Sequence, residues 1–229
     1  MKIALLAAMD KELRLILKMM PGYEEIEISG KKYYKGEIGR HEVVAGKCGI
    51  GKVNAALNTL RLIEAVRPSL VINSGVAGGV DGSLGVGSVL IADKVSYHDV
   101  WCGPGTKVGA ADGFDLYMQP SADVIKAGEA IYSADKNVTY GLICSGDRFI
   151  SKPEEVEEIK RNFPEALAVD MESAAIAQTC ISEGVPFAIV RVMSDTPGRE
   201  ENVSQYENFW EVAPEKTFSC VSNLLESLA

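Results

Sequence analysis

Histidine is almost missing from this chain: only His41 and His98 occur in 229 residues. A His-rich metal centre is thereby excluded. The five cysteines (Cys48, Cys102, Cys144, Cys180 and Cys220) are odd in number and scattered, and no CxxC occurs. Neither a disulfide framework nor a zinc knot fits them, and reduced thiols in a cytoplasmic protein are the simplest account. No GxSxG is present, so a serine nucleophile on that kind of turn is not indicated. No apolar run approaches the length of a membrane span. The apolar opening stretch stops at Asp10, Lys11 and Glu12, too soon for a signal peptide. Basic residues are also short. Lys and Arg number 23 against 32 Asp and Glu, a net charge of −9. Such a chain lacks the basic footprint of a nucleic-acid binder and would not be drawn to an anionic membrane.

What is present is ordinary for a globular domain: 47% apolar and 24% charged residues, with 22 glycines, most of them beside apolar runs. Residues 2–8 read as a buried strand and 9–20 as a helix. Short strands are expected over 25–29, 33–38 and 42–45. A helix over 53–66 ends before Pro68, and a strand over 70–73 runs into a turn over 74–79. A strand over 88–95 precedes an aperiodic stretch, 101–120, long enough to be functional or part of an interface. Helices follow over 122–132, 153–162, 171–183 and 206–228, with strands over 138–144 and 186–193. Several strands are apolar on both faces and alternate with helices. That predicts an α/β fold in which helices cover both sides of a central mixed β-sheet, mostly parallel, as one domain over residues 1–229. Ligands of such sheets sit at the carboxyl ends of strands.

Three acids fall at such ends. Glu12 follows the first strand, Glu172 lies in Asp170-Met171-Glu172-Ser173 at a helix start, and Asp195 follows the apolar strand 186–193. Taken alone, each is more often a cap or a solvated turn. Together they outline a site. A helix N-terminus should keep Glu172 ionised, as an acceptor for two sugar hydroxyls. Asp195, after a buried strand, should be desolvated and hold its proton. Phe149, beyond the turn Ser145-Gly146-Asp147-Arg148, could stack on a planar base. His98 reads as structural or as an interface residue. Residues 46–52 match GxxxxGK, but Val53 stands where a phosphate-binding loop needs Ser or Thr, which favours a tight turn lining a site.

Four stretches together carry a resemblance. They are Ala7-Ala8-Met9-Asp10-Lys11-Glu12, Gly49-Ile50-Gly51-Lys52-Val53, Ser145-Gly146-Asp147-Arg148-Phe149-Ile150 with Val169-Asp170-Met171-Glu172, and Arg191-Val192-Met193-Ser194-Asp195. In order and spacing the chain resembles the 5′-methylthioadenosine/S-adenosylhomocysteine nucleosidases of the purine nucleoside phosphorylase superfamily, over nearly its whole length. The resemblance implies a cofactor-free, metal-free enzyme, usually a homodimer, in which water cleaves an N-glycosidic bond to release adenine and a 5-thioribose sugar. It implies that Glu12 positions and deprotonates the water and that Asp195 donates a proton toward N7 of adenine. It further implies that Glu172 binds the ribose hydroxyls, Met171 packs on the sugar and Phe149 stacks on adenine. The Ile150 backbone would read the edge of the base, Ser194 and Arg191 would support the site, and Ile50 would touch the 5′-alkylthio group. Tyr206 falls where an aromatic lid belongs, one residue further from Asp195 than the family spacing. Val76 stands where the family commonly has Ser or Thr, and Asp170 where many members have Glu. A phosphorylase, a hydrolase of a related nucleoside such as aminodeoxyfutalosine, and a non-catalytic nucleoside-binding module are the rival readings. Glu12 and Asp195 together favour the enzyme, since binding alone needs neither.

Overall fold

The computed structural model describes residues 1–212 and 214–228. Its backbone is built on nine strands: β1 Lys2–Ala7, β2 Glu24–Ile28, β3 Lys31–Ile38, β4 His41–Lys47, β5 Leu70–Gly79, β6 Val89–Tyr97, β7 Val138–Ser145, β8 Ala166–Asp170 and β9 Phe187–Asp195. Seven helices connect and flank them among the described residues: α1 Asp10–Lys18, α2 Lys52–Val66, α3 Ala122–Tyr132, α4 Pro153–Asn162, α5 Ser173–Ser182, α6 Asn202–Val212 and α7 Pro214–Ser227. The result is one α/β domain with a mixed sheet, as the sequence pattern predicts. No helix among the described residues is long and apolar enough to cross a membrane.

The sheet runs β2-β3-β4-β1-β5-β8-β7-β6-β9, and β9 also pairs with β5. Its second half therefore closes on itself. β1, β4, β5 and β9 run parallel to one another, while β2–β3, β3–β4, β5–β8 and β6–β9 are antiparallel pairs. Successive side chains of a strand point to opposite faces, and β1 shows the consequence. Ala4 and Leu6 enter one core with Leu62 of α2 and Ala174 and Ala177 of α5, whereas Ile3, Leu5 and Ala7 enter a second core with Ile16 of α1 and Leu224 of α7. The small residues of α5 let it lie close against α2 and the sheet. α4 covers a third, smaller core through Ile159, together with Phe163 beyond its end.

Four local expectations are corrected. The supposed turn 74–79 is strand, because β9 pairs with β5 as far as Gly78. β8, only five residues long, was hidden in a stretch of small apolar residues with no clear period. The helix expected from 171 begins at Ser173, leaving Met171 and Glu172 in the preceding turn. The helix expected over 206–228 is two described helices on either side of position 213, which lies outside the described residues. One feature of the sheet prepares a site. β5 leaves β1 after Asn73 and meets β8 only at Gly78, so part of one edge is free to bond to side chains.

Candidate active site

The carboxyl ends of β1, β4, β5, β7, β8 and β9 converge, and a cleft of about 120 Å³ opens among them. Glu12, Ile50, Val76, Phe149, Met171, Glu172, Ser194, Asp195 and Tyr206 all line it, together with Met9, Asp170 and Gly78. Ile150 is buried beside it and lines a smaller adjoining recess with Phe149 and Asp195. Arg191 does not line the cleft. It is buried behind it. His98 and the 101–120 segment also stay outside the cleft within one chain.

Glu12 sits in the first turn of α1 with 1% of its surface exposed. Its Oε2 accepts the Ala8 and Met9 N–H groups at 2.8 and 2.9 Å, and its Oε1 accepts the Val76 N–H at 2.9 Å. The last bond uses the free edge of β5. A Cβ at Gly75 would stand 2.6 Å from Oε1, so only glycine leaves this carboxylate its place. Burial raises the pKa of Glu12 above the ordinary 4.5, opposed by the three backbone donors and the Arg191 charge. Oε1 has one lone pair left over, an acceptor position inside the cleft.

Asp195 ends β9 in different surroundings. Ser194 Oγ donates to its Oδ1 at 2.5 Å, and Asn202 Nδ2, at the start of α6, donates to its Oδ2. Burial raises its pKa, and those two neutral donors oppose it. No backbone N–H and no cation reaches this carboxylate among the described residues.

Glu172, at the N-cap of α5, accepts the Gly51 N–H on Oε1 at 2.9 Å, which leaves Oε2 for a ligand. Influences from outside the helix oppose the helix end that favours its ionised form. Burial first, then the charge of Asp170, raise its pKa, and the Gly51 donor and Arg191 offset only part of this. Arg191 supplies the compensating charge. Its Nη2 lies 2.7 Å from Asp170 Oδ2 and also donates to Ser173 Oγ at 2.9 Å and to Asn73. Ser145 Oγ donates to the other Asp170 oxygen at 2.5 Å. A buried cation thus sits beneath Asp170, Glu172 and Glu12 and lowers the cost of gathering them.

Phe149 is 46% exposed, and its ring stands edge-on to Tyr206 at 5.6 Å between centroids. The Tyr206 hydroxyl approaches Met9 Sδ at 3.3 Å. The Gly46–Lys52 loop is not a phosphate cradle. Its Gly51 and Lys52 N–H groups are taken by Glu172 and by Asp147 Oδ1, and Lys52 Nζ is held by Asp99 at 2.8 Å. Sequence reasoning missed Asn202, which in a sequence reads as an ordinary helix cap, and the structural part played by Gly75, Asn73 and Ser173. Gly75 would have been revealed only by the free edge of β5, and Asn73 and Ser173 only by the buried Arg191 that donates to both.

The sequence matches the phosphorylase superfamily over residues 2–226. It is 38% identical over 234 residues to a 5′-methylthioadenosine/S-adenosylhomocysteine nucleosidase of Listeria monocytogenes serotype 4b, covering 100% of both chains. Among solved structures it is similar to the S-adenosylhomocysteine nucleosidase of Streptococcus pyogenes in complex with 5-methylthiotubericidin, at TM-score 0.95 and 35% identity, covering 100% of this chain and 98% of that one. The nucleosidase of S. pneumoniae bound to the transition-state inhibitor MT-ImmA matches at TM-score 0.95 and 35% identity, with 100% of both chains covered. With the match running through every strand that builds the cleft, the chain belongs to the phosphorylase superfamily.

Proposed function

We propose that this protein hydrolyses the N-glycosidic bond of 5′-methylthioadenosine and S-adenosylhomocysteine, releasing adenine and a 5-thioribose sugar, as a step of methionine salvage. One observation carries the reading: a single cleft holds two buried carboxylates whose surroundings differ. Glu12 has three backbone donors and a nearby arginine, so its ionised form is the better supported. Asp195 has two neutral side-chain donors, so its proton is held longer. Such a split assigns base and acid.

The geometry supports the following chemistry. Water bound at the spare lone pair of Glu12 Oε1 gives up a proton to that carboxylate as its oxygen bonds to C1′ of the ribose. The bond from C1′ to the purine breaks, its electron pair passes into the base, and Asp195 supplies the proton that neutralises it at N7. The sugar passes through an oxocarbenium-like state, and the carboxylates of Glu12 and Glu172 stabilise its charge. Glu172 Oε2 accepts ribose hydroxyls. These would favour its ionised form against the burial that opposes it. Phe149 stacks on adenine, the Ile150 backbone reads its edge, Met171 packs on the sugar, and Ile50 and Tyr206 enclose the 5′ substituent. Val76 contributes its backbone N–H where a family hydroxyl is lost. Ser194 orients Asp195, and Arg191 acts from behind through Asp170.

Hydrolysis, rather than phosphorolysis, follows from charge. Lys47 and Lys52, the cations flanking the Gly turn, are already paired with Asp10 and Asp99 at 2.8 Å. Phosphate beside Glu12 would meet like-charge repulsion in a partly dehydrated cleft. The test is the sugar formed in phosphate buffer. Free 5-methylthioribose is expected, and a sugar 1-phosphate would overturn the reading.

The protein is further proposed to be a cytoplasmic homodimer. Val53, Leu57, Trp101 and Ile181 are exposed apolar side chains, and Val53 lines a groove between α2 and α5. Exposed apolar side chains beside such a groove are what a subunit interface would cover. It would bring the 101–120 segment against the 5′ side of a partner's cleft. Sedimentation should give twice the chain mass, and a fully active monomer would contradict this part.

A further inference from the structure

Asn202 is the one residue touching the Asp195 carboxylate that the reaction as described leaves unused. It is 1% exposed, its Nδ2 donates to Asp195 Oδ2, and its Oδ1 is buried with no partner. A buried unpaired amide oxygen costs roughly as much as a lost hydrogen bond, so its persistence asks for a reason. The amide is also the first residue of α6, the helix that carries Tyr206. A second tie, from the Thr196 N–H to Gln205 Oε1 at 2.8 Å, holds the same turn.

We propose that Asn202 is a positioning residue that serves both protonation states of Asp195 by turning its amide. With Ser194 donating to Oδ1, the acidic proton of the neutral carboxyl belongs on Oδ2. In that state the amide presents Oδ1, which accepts the proton in a hydrogen bond, and Nδ2 takes the buried position that the oxygen held. When substrate is bound, the Oδ2–H leaves its hydrogen bond to Asn202 Oδ1 and turns to N7 of the base; the O–H bond breaks as the N7–H bond forms, and the electron pair stays on Oδ2. The amide then turns by about half a revolution about its last bond, and Nδ2 donates to the carboxylate left behind, as the structure shows. Asn202 thus keeps Asp195 in one place through the proton transfer. Because it opens α6, it also ties the acid to the aromatic above the 5′ side. This inference rests on the proposed role of Asp195.

The other charged or titratable groups around the two recesses are Glu12, Asp170, Glu172, Arg148 and Tyr206, with Arg191 behind. Among described residues only Ser194 and Asn202 bond to the Asp195 carboxylate. The pH profile of kcat/KM for methylthioadenosine therefore reads this pair. Activity requires the protonated acid and falls above its pKa. The bond from Nδ2 to the ionised carboxylate is the stronger of the two that Asn202 can make. Asn202→Leu, which removes both, should move the alkaline limb upward by about one to two pH units, the worth of one bond to a charged group. It should also lower kcat about tenfold or more. Asn202→Ser, whose hydroxyl can donate or accept, should restore much of the limb's position. In the native enzyme, the 15N resonance of the Asn202 side-chain amide should titrate at the pH of that limb. This measurement needs no variant to fold. An unmoved limb in folded Asn202→Leu, or an amide resonance indifferent to pH across the limb, would overturn the proposal. Asp195→Asn separates the two layers: if it keeps normal turnover, the acid assignment itself has failed. If it is inactive while the Asn202 tests are negative, only the role of Asn202 has.

Discussion

Replacing Glu12 by Gln tests whether this carboxylate acts as a base or only ties two loops together. The side chains have the same shape, so the difference lies in the hydrogen-bond inventory. Glu12 accepts three backbone N–H groups, two on Oε2 and one on Oε1. Glutamine has one acceptor oxygen. The favourable orientation places that oxygen with Ala8 and Met9 and turns the NH₂ toward the Val76 N–H, where donor meets donor. One bond is lost and one donor is left facing another, a cost of about 1–3 kcal/mol. An opposing gain accompanies it, since burial raises the pKa of Glu12 and the ionised form is therefore disfavoured by folding at neutral pH. The second offsets part of the first. At about 2–4 °C per kcal/mol for a chain of this size, the unfolding midpoint should fall by no more than about 12 °C. Turnover has no such offset, because an amide nitrogen at Oε1 donates where the water needs an acceptor. Loss of a general base is worth about 10²–10⁴, or roughly 3–5 kcal/mol of barrier. Adenine release by Glu12→Gln should fall by that factor, while binding of an adenosine analogue, followed by calorimetry, changes by only a few-fold. Turnover within tenfold of the parent, in a variant that still binds and folds, would refute the argument.

Asp195→Asn should lower turnover by a similar factor while making the protein no less stable at pH 7. The folded pKa of Asp195 lies above 3.8, so the stability linked to its proton is complete below that value and is lost as pH rises through the folded pKa. The advantage of Asp195→Asn in thermal unfolding should therefore be largest at neutral pH and shrink toward pH 4. An advantage that grows on acidification would reverse the sign. Gly75→Ala should damage turnover without a change in any charged residue, because its Cβ would stand 2.6 Å from Glu12 Oε1 and displace that oxygen. Near-normal steady-state rates in this variant would show that the carboxylate tolerates movement.

The sequence reveals the fold wherever a strand is buried on both faces or a helix carries a clear apolar stripe. β1, with five fully buried residues in a row, is an instance of the first, and α1, burying Leu13 and Ile16, is an instance of the second. Legibility fails where pairing, not local pattern, decides. Residues 74–79 contain three glycines and read as a turn, yet β9 on one side and β8 at the far end hold them extended. β8 has five residues, too few for a period to show, and becomes strand because β7 and β5 flank it.

The site divides along the same line. Residues whose chemistry is intrinsic can be found from type and position: Glu12, Glu172 and Asp195 are acids at strand ends, and Phe149 is an exposed ring beyond another. What local sequence cannot give is the environment that makes three acids differ. Glu172 looks ionised if only its helix is considered. The structure adds burial and Asp170, two influences from outside that helix that push its pKa up. Glu12 looks like its equal, but the unpaired stretch of β5 between Asn73 and Gly78 gives it a backbone donor from 64 residues away in the chain. Asp195 has no such donor and must rely on Ser194 and Asn202. The division of labour proposed for base and acid thus follows from the point at which one strand changes partners. The same interrupted edge explains why Gly75 cannot carry a side chain: its Cβ would meet the Glu12 oxygen that fills the gap. A break in sheet pairing that would weaken an ordinary core here furnishes the polar contact that sets the surroundings of Glu12 apart from those of Asp195.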